Sequence, residues 1–268
     1  MDAEEPATAL NLLGRWLLTK DGREIVLPRK AQALIALLAL DGSSPTTRER
    51  ATDMLWTNSA PEQARQSLRQ CLWVIRSGAG DDLIATDREL LRLTHQIRVD
   101  TREFELLAKS RDPGDLSRAA GLYRGELMAG LPPVSSRFDE WLLVERERLA
   151  GLASSMLRRL AEAHAAGGDL DRAIDAGRHL VGLDNLNEEA HRLIIGLLLR
   201  AGRRAEALRQ YAICTETLRR ELGVEPDAQT RLLVDDARTV ETSPNIGPGA
   251  KSSDRPSAVA DNLAVGSS

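Results

Sequence analysis

Two glycine-led segments, 34 residues apart, constrain the fold of this chain more than any other feature. The sequence reads GDLDRA from Gly168 and GRRAEA from Gly202. A period of 34 residues is typical of units made of two antiparallel helices, which stack to bury a shared core. We expect Gly168 and Gly202 to lie in turns between helices, and Ala173 and Ala207 to lie where two helices cross closely.

The residues around these segments agree with the same register. Leu157 and Leu160 align with His191 and Ile194, and Tyr211 follows the second repeat alanine as an aromatic residue. Ordinary antiparallel helices are the alternative, but the period and the small residues together favour tetratricopeptide-like packing.

Short strands flank three helices in the N-terminal part. Strands are predicted from apolar runs bounded by turn residues, at Leu10–Leu13, Trp16–Thr19, Glu24–Leu27, Leu83–Thr86 and Leu90–Thr94, and a polar turn at residues 87–89 joins the last two. Helices are predicted from the 3.6-residue apolar period, at Lys30–Leu40, Thr47–Trp56 and Glu62–Arg76. Thr46 and Glu49 form a capping box that would begin the second helix. This order predicts a winged helix-turn-helix with an N-terminal sheet.

From Asp100 onward the pattern is helical. Asp100 and Glu103 form a second capping pair, and helices are predicted at Thr101–Lys109, Asp115–Tyr123 and Phe138–Ala165. The predicted fold is mainly α: a winged helix-turn-helix (α+β), then an all-α tetratricopeptide-like domain and a disordered C-terminal tail. The predicted boundaries are residues 1–9 for a disordered N-terminus, 10–99 for the winged helix, 100–238 for the helical domain and 239–268 for the tail.

The helix predicted at Glu62–Arg76 has two contrasting faces. Its apolar stripe contains Ala64, Leu68, Cys71, Leu72 and Ile75, and its opposite stripe contains Gln66, Arg69, Gln70 and Trp73. Arginine and glutamine can form bidentate hydrogen bonds with base edges in a DNA major groove. An ordinary solvated surface helix is the alternative, but the capped helix before it and the hairpin after it favour a recognition helix.

Trp73 lies in the middle of this polar stripe, and three interpretations of it stay open. It packs on the hairpin or on Trp56, stacks at the edge of the DNA, or lies in an interface between protomers.

Composition limits the kinds of partner. The net charge is −4 and the pI is about 5.7, so affinity for DNA would come from a local patch. The N-terminus does not resemble a signal peptide, and no apolar run approaches the roughly 20 residues needed to span a bilayer. We therefore expect a cytoplasmic protein without membrane association. Scattered histidines and no catalytic motif predict neither an enzyme, a metal site nor a cofactor.

The candidate DNA contacts fall into three groups. Base contacts are assigned to Gln66, Arg69 and Gln70. Phosphate contacts are assigned to Arg29, Lys30, Thr46, Arg48, Arg65 and Arg76, and contacts from the wing to Arg88 and Arg92.

Several segments, in a constant order, match a known family. They include LLGRWLL, TTRERATDMLW, QARQSLRQCLWVIR, VDTREFE, YRGELMAGL, FDEWLLVERERL, GDLDRAI and LRRELGVEPDAQT. From Leu10 to Leu233 the chain resembles the Streptomyces antibiotic regulatory protein family, in which an OmpR-type winged helix precedes a bacterial transcriptional activator domain.

The resemblance implies an activator that binds repeated promoter sites on double-stranded DNA and recruits RNA polymerase. It implies that the helix at Glu62–Arg76 is the recognition helix and that Trp56, Thr57, Asn58 and Ser59 form a loop facing polymerase. The helical domain would serve self-association or protein contacts. The competing class is a helical adaptor whose winged helix no longer binds DNA. The acidic net charge favours the adaptor, and the arginine and glutamine face opposes it.

Overall fold

A computed structural model of the protein describes residues 8–41, 45–94 and 97–239. Its strands are β1 (Thr8–Asn11), β2 (Leu17–Lys20), β3 (Arg23–Ile25), β4 (Thr46–Thr47), β5 (Ile84–Thr86), β6 (Leu90–Leu93) and β7 (Ile97–Val99). Its helices are α1 (Arg29–Leu40), α2 (Arg48–Leu55), α3 (Pro61–Ala79), α4 (Asp100–Leu107), α5 (Pro113–Leu122), α6 (Ser136–Ala166), α7 (Leu170–Leu183), α8 (Glu188–Arg200), α9 (Arg204–Leu222) and α10 (Ala228–Thr239). The predicted fold class, a small N-terminal α+β part followed by a helical part, is confirmed.

The strands form two small sheets around the three N-terminal helices. The first sheet has the order β3-β2-β1-β7, and β7 runs parallel to β1 with Ile97 opposite Thr8. The second sheet has the order β4-β6-β5, with Thr46 opposite Leu91. The sequence pattern did not predict β4 or β7. Both are too short to show an alternating pattern, and each is defined by pairing with a strand far away in the sequence.

Helix α3 buries the apolar stripe that its sequence predicts. Ala64, Leu68, Cys71, Leu72 and Ile75 are all buried, because the helix packs its inner face on α1 and α2. Burial also raises the pKa of the Cys71 thiol to about 11, as expected for a structural cysteine.

The helical part confirms the repeat. Gly168 (φ +81°) lies between α6 and α7, and Gly202 (φ +70°) lies between α8 and α9. Left-handed backbone at these turns favours glycine. Ala173 and Ala207 are buried, as expected for small residues at helix crossings. Nearby, a Cβ atom added to Gly177 would lie 2.8 Å from Cγ1 of Ile194, so α7 and α8 approach too closely there for a larger residue.

His191 is a polar residue in a core position of the repeat. The side-chain amide of Gln210 lies 2.8 Å from its Nδ1, and its Nε2 lies 3.1 Å from the backbone oxygen of Asn185. A neutral ring with the proton on Nε2 satisfies both contacts, since Gln210 then donates to Nδ1 and Nε2 donates to Asn185. Burial lowers the pKa of His191 and favours this neutral form.

Hydrogen bonds to the buried backbone after β1 join the winged part, which ends at Val99, to the helical part, which begins at Asp100. The Asp100 carboxylate accepts hydrogen bonds at 2.9 Å from the amides of Leu12 and Leu13. The Met128 amide donates to the carbonyl of Leu12 at 2.8 Å. The predicted capping pair of Asp100 and Glu103 is therefore wrong. Val99 is the N-cap residue, and its apolar side chain cannot accept a capping hydrogen bond. The Asp100 carboxylate instead accepts from the amides that follow β1.

The capping box at Thr46 is wrong by one residue. Thr47 is the N-cap of α2, and its hydroxyl accepts a hydrogen bond from the Arg50 amide. Thr46 is buried in β4, because pairing with β6 turns its side chain inward.

Strand β1 and helix α10 are the first and last elements among the described residues. Strand β1 begins at Thr8, so residues 8 and 9 belong to the sheet rather than to the predicted disordered N-terminus. Helix α10 ends at Thr239, which is the first residue that the prediction assigned to the tail. Residues 1–7 and 240–268, for which disorder is predicted, lie outside the described residues.

Candidate nucleic-acid interface

The outer face of α3 is open to solvent along its length. Gln66, Arg69, Gln70 and Trp73 are all exposed, and they lie opposite the buried apolar stripe. The helix therefore presents a row of bidentate hydrogen-bonding side chains on a rigid, well-packed element.

The wing, which consists of β5, the turn at residues 87–89 and β6, is held beside the beginning of α2. The amide of Arg48 donates to the carbonyl of Glu89 at 2.8 Å. The turn itself is closed by Asp87, whose amide donates to the carbonyl of Leu90 and whose carboxylate accepts from the Glu89 amide at 2.9 Å. This confirms the predicted turn at residues 87–89 and fixes Arg88 at its tip.

A groove of about 870 Å³ runs between α2, the first half of α3 and the tip of the wing. Its arginines are Arg48, Arg65, Arg69, Arg88 and Arg137. Its carboxylates are Glu49, Asp53 and Glu89. Five arginines against three carboxylates leave a net charge of +2, whereas the whole chain carries −4. The positive charge that DNA binding would need is thus present locally.

The arginines of this surface differ in whether their side chains have hydrogen-bond or ion-pair partners. The side chains of Arg69, Arg88 and Arg92 make no hydrogen bond or ion pair with any residue the structure describes, and all three are exposed. Arg65 pairs with Glu62 at 2.6 Å, and Arg76 donates to the Thr86 hydroxyl at 2.8 Å. The contact of Arg76 ties the second half of α3 to the wing strand β5.

Two residues that are predicted to contact phosphate donate side-chain hydrogen bonds within the winged part instead. The Thr46 hydroxyl is buried and donates to Asp41. The Lys30 ammonium donates to the carbonyl of Leu55 at 2.9 Å and lies 4.9 Å from the ring centroid of Trp56, and burial lowers its pKa. The assignment of Thr46 is therefore wrong, because its hydroxyl is inaccessible, and that of Lys30 loses its support.

Arg29 is also engaged, in this case across the junction of the two parts. Its Nη1 donates to the carbonyl of Pro133 at 2.9 Å, although the side chain remains exposed. This contact holds the beginning of α1 to the segment before α6, so we place Arg29 with the scaffold rather than with the phosphate contacts.

Trp73 is largely exposed on the outer face of α3. The ring of Trp56 is covered by Lys30, whereas 67% of Trp73 is exposed to solvent. This exposure counts against the interpretation in which Trp73 is packed within the winged part. It favours the two other interpretations, stacking at the edge of the DNA and burial between protomers.

The loop from Trp56 to Ser59 continues from the end of α2 at one end of the groove. The amide of Ser59 donates to the carbonyl of Trp56 at 3.0 Å, and the hydroxyl of Thr57 donates to the carbonyl of Asp53 at 3.2 Å. These contacts give the loop a defined conformation and leave Asn58 exposed.

Sequence reasoning missed one residue of this surface, Arg137. It lies at the beginning of α6, in the helical part, and its Nη1 is 3.9 Å from the carboxylate of Asp53 on α2. The local pattern around Arg137 contains no signal for this role, because only the packing of α6 on α2 brings it to the groove.

Neither a metal centre nor a membrane span is found in the residues that the structure describes. No group of three or more histidine, cysteine, aspartate or glutamate side chains in these ranges could hold a metal ion. No helix among them has both the length and the apolar character needed to cross a bilayer.

The helical part identifies the family. Residues 99–236, slightly more than half of the chain, match the family model of the bacterial transcriptional activator domain. The chain belongs to this family. The resemblance to the Streptomyces antibiotic regulatory proteins is likewise confirmed.

Two relatives illustrate how far the similarity extends. The regulatory protein AfsR of Streptomyces coelicolor is 27% identical over 95% of this chain, but the match covers only 27% of AfsR. The regulatory protein DnrI of Streptomyces peucetius is 25% identical over 84% of this chain and 89% of DnrI. The chain thus spans about a quarter of the length of AfsR and most of the length of DnrI.

A solved structure shares the fold. EmbR of Mycobacterium tuberculosis, solved in complex with a low-affinity phosphopeptide, superposes with a TM-score of 0.62. The match covers 87% of this chain and 65% of the EmbR chain, at 22% identity. The arrangement of a small N-terminal sheet region followed by helices is therefore shared with EmbR.

Proposed function

We propose that the protein is a sequence-specific DNA-binding activator that reads promoter DNA with the outer face of α3. The observation that carries this proposal is the exposed row of Gln66, Arg69 and Gln70 beside a groove of net positive charge in an acidic chain. A local concentration of arginine next to base-reading side chains is the electrostatic pattern expected of a DNA-binding face.

Base recognition is assigned to three side chains of α3. Arg69 is the strongest candidate because its guanidinium has no partner among the described residues and suits the O6 and N7 atoms of guanine. Gln66 and Gln70 flank it on the same face and suit the N6 and N7 atoms of adenine.

Phosphate contacts are assigned to the arginines around this face. Arg48 lies at the beginning of α2, Arg65 and Arg76 lie on the edges of α3, and Arg88 and Arg92 lie on the wing. The ion pair of Arg65 with Glu62 is exposed, so exchanging Glu62 for a phosphate costs little. Together these residues would set the register of α3 in the major groove.

Activation requires contact with the transcription machinery as well as with DNA. We assign the loop of Trp56, Thr57, Asn58 and Ser59 to RNA polymerase, since it is ordered by its own hydrogen bonds and lies at the end of the groove. We assign self-association on repeated sites to the helical part. The relatives AfsR and DnrI are named as regulatory proteins, which supports regulation but not these individual contacts.

The test is a fluorescence-anisotropy titration of the chain, at two salt concentrations, against DNA duplexes taken from the region upstream of its own gene. We expect salt-dependent binding that Arg48→Ala weakens alike on operator and unrelated DNA, because a phosphate contact carries no sequence information. Arg172→Ala, which removes an exposed arginine of the helical part, is the matched control. Binding that is undetectable or insensitive to salt would favour the adaptor instead.

A further inference from the structure

We infer that the helical part of the chain itself contacts the DNA backbone, through Arg137. This inference rests on the proposed function, because it adds a phosphate contact to the surface around α3. The observation behind it is that, among the described residues that line the groove, Arg137 alone comes from beyond the winged part.

The position of Arg137 is set by the packing of α6 on α2. The hydroxyl of Ser135, which caps α6, donates to the carbonyl of Met54 near the end of α2. Immediately after Arg137, the side chain of Phe138 is fully buried. A capped, buried helix terminus thus places the arginine beside α2, so little backbone entropy is lost when its side chain binds.

The guanidinium of Arg137 is exposed and only weakly paired, so its charge can act on a phosphate. Its side chain is 58% exposed, and its nearest carboxylate, on Asp53, is itself 61% exposed and 3.9 Å away. An exposed pair at this distance is weak, and a phosphate could replace Asp53 at small cost. The competing occupant of this end of the groove is the polymerase, but DNA is favoured because Arg48, Arg65, Arg69 and Arg88 line the same groove.

A contact from this direction would have a structural consequence. Arg137 would contact a phosphate from the helical part, whereas α3 would contact the bases from the winged part. Binding would therefore require the two parts to be held in their observed arrangement. The affinity for DNA would therefore depend on the junction between the two parts.

The experiment compares Arg137→Ala with Arg172→Ala in the full chain, on the upstream duplex and on an unrelated duplex. Each phosphate contact contributes about 0.9 to the slope of log affinity against log salt. We expect Arg137→Ala to reduce that slope by about 0.9 and to weaken both duplexes by a similar factor, roughly three- to tenfold at moderate salt. Arg172→Ala should change neither quantity, because its weak pair with Asp169 lies away from the groove.

A second variant tests the role of Asp53. Asp53→Asn should tighten DNA binding more in the native chain than in an Arg137→Ala background, because it releases Arg137 only where Arg137 is present. Equal tightening in the two backgrounds would overturn the inference.

Other outcomes separate this inference from the proposed function. If Arg48→Ala flattens the salt slope and Arg137→Ala does not, the inference is wrong while DNA binding by α3 stands. If Arg137→Ala keeps the DNA affinity and slope but reduces transcription with purified polymerase, Arg137 contacts polymerase and the inference is again overturned. If the native chain shows no salt-dependent binding, the proposed function itself fails.

Discussion

Arginine has different surroundings in the helical part and at three positions of the winged part. In the helical part, many arginines pair with a carboxylate on the same or a neighbouring helix. Examples are Arg148 with Glu105, Arg158 with Glu189, Arg178 with Asp175, Arg192 with Asp227 and Arg203 with Glu206. In the winged part, Arg69, Arg88 and Arg92 make no such pair with any residue the structure describes.

The difference shows how one residue type serves two purposes. A paired arginine balances charge between helices, and its carboxylate partner competes with any further anion. An unpaired arginine on a rigid face keeps its charge and its five donors for an external anion or a base. Three such arginines, Arg69, Arg88 and Arg92, stand on the outer face of α3 and on the wing of an acidic chain.

The largest expected effect concerns the contact that holds the two parts together. Asp100→Ala leaves the buried amides of Leu12 and Leu13 without their acceptor, and we expect the free energy of unfolding to fall by about 2–4 kcal/mol. Urea unfolding followed by circular dichroism measures this. Asp171→Ala, which removes an exposed carboxylate of the helical part, is the control. A loss for Asp100→Ala no greater than for the control would show that the junction does not depend on this carboxylate.

The next effect tests the unpaired arginines directly. Arg69→Ala should weaken operator binding by about 1–3 kcal/mol and relax specificity at one base pair, because it removes a bidentate base contact. Competition titrations with single-base operator variants measure both changes. An operator affinity equal to that of the native chain would remove Arg69 from the base contacts.

A smaller effect is expected from pH in the helical part. Burial lowers the pKa of His191 below the 6.5 of an exposed histidine, so the unfolded chain binds the proton more readily than the folded chain. The free energy of unfolding should therefore fall as pH drops below about 6.5, until the folded pKa is passed. Unfolding midpoints at several pH values measure this. His191→Gln should flatten this dependence, whereas His179→Gln, at an exposed position, should preserve it.

The smallest effect concerns a paired arginine of the helical part. Arg178 pairs with Asp175 at 3.1 Å and with Glu206 at 3.4 Å, and its side chain is 48% exposed. Arg178→Ala should lower the free energy of unfolding by about 0.5 kcal/mol or less and leave operator affinity unchanged. A marked loss of DNA affinity would contradict the division between paired and unpaired arginines.

Much of the architecture could be predicted from local patterns. The apolar stripe of α3, the turns at Gly168 and Gly202, and the wing turn at residues 87–89 were all predicted from spacing and turn chemistry. Each depends on residues that are neighbours in the sequence, where the helical period and the left-handed conformation of glycine act.

The errors arise where a side chain has a distant partner. Thr46 and Asp100 both have the residue types of helix caps, yet Thr46 pairs with β6 through its strand and Asp100 binds the amides that follow β1. Lys30 resembles a surface cation, but the end of α2 covers it. Local propensity proposes such roles, and long-range hydrogen bonds override them.

The sequence by itself determined which faces are apolar, where the repeat turns occur and which residue types stand on the outer face of α3. These properties follow from periodicity and backbone preference, which act over a few residues. Only the tertiary structure decided which arginines of the described surface stay unpaired, that Trp73 is left largely exposed on its face, and that Arg137 reaches the groove from the helical part. Those outcomes depend on which helices pack together, and packing joins residues that local patterns cannot connect.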